Sequence, residues 1–268
     1  MRVFQSSPHP LLKPYVARIW GWEAEVGESV SLPVVLPGTG AEVFFHFGAP
    51  FRRADDGTDL GPAHLLCLRH RPLDLAPLSR LGFIAVRVRA GRLWDLIEPP
   101  AGECLDRALP VEVLWGCLGR YLLEQVGSAA DFCARRQILE HFLLERLEAR
   151  CTDPLVTAAV DRLYRQPEAT TIDTLAYALG LGRRQLERRF QAQEGLSPVE
   201  FRRRIRFQKT VRQLFLDPTL SLLDAALDQG YYDQSHFHRD FKDLTGQAPA
   251  RHLARARQAT HFYNTPGT

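Results

Sequence analysis

Apolar residues recur at two different periods along this chain, and the change between them divides it. In residues 1–100 they gather in short β-branched or aromatic stretches, such as 34–36, 43–47 and 83–88, punctuated by Pro37-Gly38, Asp56-Gly57 and Gly61-Pro62. That pattern predicts strands joined by turns. Over 111–149 they fall at helical spacing, for instance Ile138, Phe142, Leu143 and Leu147, with one interruption near Gly127-Ser128. A helical pair or hairpin is expected there. Thr152-Asp153-Pro154 then joins N-capping residues to a proline suited to a first helical turn, which marks a new helix and a domain boundary. Beyond it the helical period predicts helices over 154–164, 172–179, 183–193, 197–216, 222–228, 234–244 and 250–256. The expected fold class is α+β: an N-terminal domain over 1–152, β-rich to about 100 and helical over 111–149, an all-α domain over 153–257, and a tail over 258–268.

The helical part contains an internal repeat. Ala176 and Gly180 recur fifty residues later as Ala226 and Gly230, and Leu186, Arg188, Phe190, Gly195 and Pro198 recur fifty-one residues later as Phe237, Arg239, Phe241, Gly246 and Pro249. Each copy has the marks of a helix-turn-helix. A small Ala lets the second helix cross the first closely, and Gly supplies the positive φ of the turn. Leu186 and Phe190, or Phe237 and Phe241, lie four apart and so share one buried face.

The opposite face then presents Arg184, Glu187 and Arg188 in the first copy, with Arg183 beside them. In the second it presents Gln234, Ser235, His238 and Arg239, with Lys242 one turn on. Arg pairs with guanine, Gln with adenine and Glu with cytosine, so these are side-chain types that read base edges in a major groove. The helix expected over 197–216 is roughly 30 Å long at 1.5 Å per residue, close to the roughly 34 Å of one DNA turn. It predicts a strut that sets two reading heads on one face of a duplex. Its Arg202, Arg206 and Lys209 share a face, for which phosphate neutralisation is the expected role.

Charge changes this picture in one respect. The net charge of +3 is modest, but from residue 152 onward 17 Lys and Arg face 13 Asp and Glu, +4, whereas residues 1–151 carry 17 against 18, −1. The positive excess lies with the repeat. Apolar residues at 45% and charged residues at 24% exclude a disordered chain. No stretch approaches the roughly 20 apolar residues of a membrane span, and the first 14 residues have no apolar run of signal-peptide type, so a cytoplasmic protein is expected. Five cysteines, Cys67, Cys104, Cys117, Cys133 and Cys151, form no CxxC pair and are read as buried free thiols.

The run LAYALGLGRRQLERRFQAQEGLSP (175–198), and GYYDQSHFHRDFKDLTG (230–246) with the Pro249 that follows, resemble the AraC/XylS family of transcription activators over about 154–253. The resemblance implies promoter DNA and RNA polymerase as partners, a homodimer, no cofactor and no catalysis. It also implies base-facing positions at Arg184, Glu187, Arg188, Gln234, Ser235 and Arg239. Two residues depart from the family's pattern. Gly182 replaces an N-capping Ser, at a cost of a few tenths of a kcal/mol, and Ala225 replaces a larger aliphatic.

PYVARIWGWE (14–23) and VVLPGTGAEVFFHFG (34–48) resemble the cupin-like regulatory domains that precede such modules. His46, His64 and His70 stand isolated in the sequence, so neither a metal site nor a metal enzyme is expected. A small-molecule effector would use Trp20, Trp22, Phe45, Phe47 and Arg87, chosen because aromatics and a charged anchor often line pockets. The helices over 111–149 offer a dimer interface instead, and the sequence does not choose between these uses. Two further classes fit these residues less well. A DNA-repair alkyltransferase needs an activated Cys, which no cysteine here supplies, and an interaction protein that had lost DNA binding would not need Arg188, Gln234 and Arg239.

Overall fold

The computed structural model describes residues 1–258 except 26, 27, 29, 31, 33, 78, 79, 99, 100 and 148–151. Its N-terminal half is built on an antiparallel sheet of β1 (Arg2–Ser6), β2 (Val16–Ala24), β3 (Ala41–His46), β5 (Ala63–Leu66), β7 (Leu81–Val88) and β8 (Ala108–Pro110), in the order β1-β2-β7-β3-β5-β8. A two-stranded ribbon, β4 (Phe51–Arg53) with β6 (Leu75–Pro77), accompanies it. Alternate residues of the sheet enter two separate cores. Trp20, Trp22, Phe44 and Phe83 pack with Phe51 and Leu75 of the ribbon. Ile19, Val43, Phe45, Ile84 and Val86 pack beneath the helices. Because both faces are covered, β3 is buried at every position, Glu42 and His46 included, rather than at alternate ones.

On the second face lie α1 (Ala101–Cys104), α2 (Val111–Trp115), α3 (Cys117–Ser128) and α4 (Phe132–Leu147). The expected break near 128 is present, and a second, at Gly116, separates α2 from α3. Trp115 anchors the layer, its Nε1–H donating to Leu96 O at 2.7 Å and its ring meeting Phe142 edge-on.

The C-terminal part is helical: α5 (Pro154–Arg165), α6 (Ile172–Ala178), α7 (Arg183–Glu194), α8 (Pro198–Leu216), α9 (Leu222–Asp228), α10 (Gln234–Thr245) and α11 (Pro249–Gln258). Local capping explains most of the starts. Asp153, Thr171, Ser197, Ser221 and Asp233 each accept a backbone N–H of the first turn, and Ser197 with Glu200 completes a reciprocal capping box. Residues 259–268 of the expected tail lie outside the described residues.

The expected boundary at 152 does not interrupt the core. Val156, Ala159, Val160 and Leu163 of α5, Leu175 of α6, Leu186 and Phe190 of α7, and Phe201 and Ile205 of α8 join the same buried cluster as the sheet and α2–α4. A separate cluster holds Phe207, Val211 and Leu214 with Ala225, Ala226, Phe237 and Phe241. Among the described residues, no helix is long and apolar enough to cross a membrane.

Candidate nucleic-acid interface

The two helix pairs, α6–α7 and α9–α10, close their turns identically. Gly180 at φ +67° and Gly230 at φ +76° occupy the left-handed region, which a side chain would strain. The residue after each donates to the small alanine of the first helix at 3.0 Å, Leu181 to Ala176 O and Tyr231 to Ala226 O. Leu186 and Phe190 in one pair, Phe237 and Phe241 in the other, are wholly buried. Each pair therefore holds its second helix by one face and leaves the other in solvent.

The α8 helix connects them by its length. Its first half contributes Phe201 and Ile205 to the core of the first pair, and its second half contributes Phe207, Val211 and Leu214 to that of the second. At 19 residues it spans roughly 28 Å. A rod packed at both ends fixes the separation of the pairs in a way that a linker would not.

On the solvent face of α7, Arg184 and Arg188 are exposed and make no hydrogen bond or ion pair among the described residues. Arg183 is engaged by Asp173 at 3.2 Å and by Glu187 at 3.0 Å, so Glu187 reaches solvent as part of that group. On α10, Gln234, Ser235, Arg239 and Lys242 are exposed and His238 is half-buried, with its Nε2 3.5 Å from Gln234 Nε2. Gly182 begins α7 with no side-chain hydrogen bond, whereas Asp233 caps α10 by accepting from His236 N. The first helix thus starts from the weaker cap, as the sequence implies.

The arginines of α8 bond to groups within the protein. Arg202 donates to Thr170 O at 2.7 Å, and Arg206 donates to Gly230 O at 2.6 Å while lying 4.1 Å over the Tyr231 ring. Lys209 Nζ reaches Arg165 O at 3.4 Å and sits 5.3 Å over Tyr164. Arg203 pairs with Asp240 and Asp243, and Arg204, 3% exposed, donates to Arg69 O in the N-terminal half. Burial pulls Arg204, Arg206 and Lys209 below their ordinary pKa values. The cause is that α8 is enclosed on most sides, so its long cations satisfy backbone carbonyls at the ends of neighbouring elements. Arg212 is the exposed cation of this helix.

The remaining sequence candidates occupy the N-terminal half. Trp20, Trp22 and Phe45 are at most 2% exposed and pack as core, Phe47 lies under the Arg135 guanidinium at 3.8 Å, and Arg87 pairs with Glu42 at 3.2 Å. His46 and His64, isolated in the sequence, are stacked at 5.4 Å within the aromatic core, because β3 and β5 pair antiparallel with Phe44 opposite His64. Burial holds both below the usual imidazole range, His64 at about 4. His70 pairs with Asp106 at 2.7 Å. Among the described residues, no group of three or more His, Cys, Asp or Glu is placed to hold a metal ion. Cys67 and Cys104 are buried as expected, but Cys117 and Cys133 are exposed, since they open α3 and α4 on their outer faces; Cys151 lies outside the described residues.

Comparison with known proteins bears on the C-terminal half. Residues 175–255 match the family described as a helix-turn-helix domain. Over 94 residues the chain is 35% identical to the HTH-type transcriptional regulator MtrA of Neisseria gonorrhoeae, covering 35% of this chain and 31% of that one. Over 102 residues it is 34% identical to an AraC-like transcription regulator of Streptomyces antibioticus, covering 38% and 33%. The chain thus spans about a third of the length of these curated relatives. A solved AraC-type DNA-binding transcriptional regulator from Chromobacterium violaceum is 28% identical, with a TM-score of 0.37, over 40% of this chain and 96% of that one.

Proposed function

We propose that this chain, whose C-terminal module is an AraC-type helix-turn-helix domain, is a sequence-specific DNA-binding regulator of transcription that reads promoter DNA with two helices. The observation that carries this is the duplication of one exposed face, Arg184 and Arg188 on α7 and Gln234, Ser235 and Arg239 on α10, at the two ends of one packed helix. Guanidinium, amide and hydroxyl groups turned to solvent are what direct readout of base edges requires. Two such faces joined by a helix roughly 28 Å long suit consecutive major-groove segments, about 34 Å apart on one side of a duplex.

In this reading the two α6–α7 and α9–α10 pairs are helix-turn-helix units and RNA polymerase is the partner at the promoter. The cupin-like N-terminal half serves effector binding and dimerisation. Val113, Leu118 and Tyr121, exposed on α2 and α3, support a dimer through that layer. Mapping of bound DNA across a genome, followed by titration of the recovered site with wild type and with Arg188→Ala plus Arg239→Ala, tests the function. Absence of enriched sites, or equal affinity of the double variant, rules it out.

A further inference from the structure

A cleft lies between residues of the N-terminal sheet and those of α5 and α8. It is a cavity of about 560 Å³, walled on one side by residues around Lys13, Thr39 and Arg87–Arg92 and on the other by Asp161, Tyr164 and Arg165 of α5 and Gln208 of α8. Five cations, Lys13, Arg87, Arg89, Arg92 and Arg165, line it, against Asp161 as the acid among its lining residues. Three of the five are already engaged: Arg92 with Asp161 at 2.8 Å, Arg87 with Glu42 at 3.2 Å, and Arg89 with Lys13 O at 2.7 Å. The Lys13 ammonium and the Arg165 guanidinium, one on each wall, have no hydrogen bond or ion pair among the described residues.

The wall itself is built closely. Gln208 Oε1 accepts from Thr39 N and from Thr39 Oγ1, each at 3.3 Å. A Cβ at Gly38 would fall 1.8 Å from Gln208 Nε2, and one at Gly40 would fall 2.7 Å from Arg87 NH2. The Pro37–Gly40 segment therefore uses glycine where the side chains of α8 and β7 come against its backbone. Pro14, Val88 and Ala90 add apolar surface to the same cleft. Its volume is that of a small-molecule site, and uncompensated charge on facing walls calls for an anion.

We infer that this cleft binds a small organic dianion, such as a dicarboxylate, with its acidic groups held between Lys13 and Arg165 and its carbon body against Pro14 and Val88. The occupant ties α5 and α8 to the N-terminal sheet. That consequence for the reading helices rests on the DNA-binding proposal; the site does not.

The test is thermal unfolding and calorimetric titration of the full chain without DNA, using succinate, citrate and inorganic phosphate as probes, with potassium chloride at matched ionic strength and glycerol as controls. Saturable binding of at least one carboxylate probe is expected, weakened tenfold or more in Lys13→Glu plus Arg165→Glu. Should that variant fail to fold by circular dichroism, Lys13→Gln plus Arg165→Gln carries the comparison. No saturable binding, a shift matched by chloride, or binding retained in the variant overturns the inference. Phosphate binding alone, accompanied by an equal loss of affinity for every duplex in the variant, makes the cleft a DNA-backbone contact and also overturns it.

Discussion

The indole N–H of Trp94 donates to Glu194 Oε2 at 3.2 Å, in a buried contact that joins the turn after β7 to the last residue of α7. Removal from water pushes the Glu194 carboxyl up to about 7, with Asp95 adding like-charge repulsion and the hydrogen bonds from Gln193 and Trp94 opposing. The α7 helix is thus moored to the N-terminal half through a group whose pKa burial pushes up to about 7.

Because the folded value lies above the ordinary 4.5, protonation of Glu194 favours folding. Its contribution is fully present below about pH 4.5 and is lost as pH rises through about 7, by about 3 kcal/mol at roughly 1.36 kcal/mol per pH unit. His46 and His64, buried as neutral bases, act in the opposite sense: their contribution is present above the ordinary 6.5 and is lost as pH falls. The comparison of wild type with Glu194→Gln cancels them. The difference in unfolding free energy between the two, measured by denaturant from pH 4.5 to 8, should turn against wild type as pH rises. A difference independent of pH refutes the assignment.

Arg188→Ala and Arg239→Ala are each expected to weaken operator binding by about 1 to 3 kcal/mol without altering circular dichroism, since both are exposed, without an ion pair among the described residues, and equivalent in the two repeats. Titration at fixed salt measures this, and unchanged affinity in either variant removes that arginine from the interface.

The cations divide into two groups that salt dependence separates. Lys242→Ala, on an exposed face, should reduce the slope of log affinity against log salt by about 1 if it neutralises a phosphate. Arg206→Ala should leave the slope nearly unchanged and instead lower the thermal midpoint, because its guanidinium holds Gly230 O and the Tyr231 ring. The reverse result would return Arg206 to the DNA.

Rigidity of α8 has a spacing consequence. Inserting 5 bp between the two half-sites of an operator puts the second on the opposite face of the duplex, and one chain should then lose one head's base contacts, about 1 to 3 kcal/mol or more. Operators with 0, 5 and 10 inserted base pairs measure this; a loss under about 0.5 kcal/mol at every spacing refutes two-headed reading.

A fragment over 153–268 should be divided in its stability. The α9–α10 pair keeps its own core around Phe207, Phe237 and Phe241, while Val156, Val160 and Leu163 lose the cluster they share with the sheet. Hydrogen exchange should show protection in α10 and little in α5. Equal protection in both would mean that α5 needs no partner from the N-terminal half.

What the sequence determined by itself is local. Helix starts at Asp153, Ser197 and Asp233 follow from side chains two or three residues away, the turns follow from Gly180 and Gly230, and the exposed faces of α7 and α10 follow from the helical period. Signals of that range survive in one dimension, so the repeat and its exposed faces are legible there. The rest depended on what the fold brings alongside. Arg202 and Arg206 look like any solvated cation until Thr170 O and Gly230 O are placed against them. His46 and His64 become neighbours only through the pairing of β3 with β5. Glu194 leaves its ordinary range only when Trp94 and the N-terminal core exclude water from it. The cleft between Lys13 and Arg165 is written in residues more than 150 apart, whose meeting is decided by burial of α5 against the sheet. Charge, titration and ligand space are properties of the surroundings, and surroundings are set by tertiary packing.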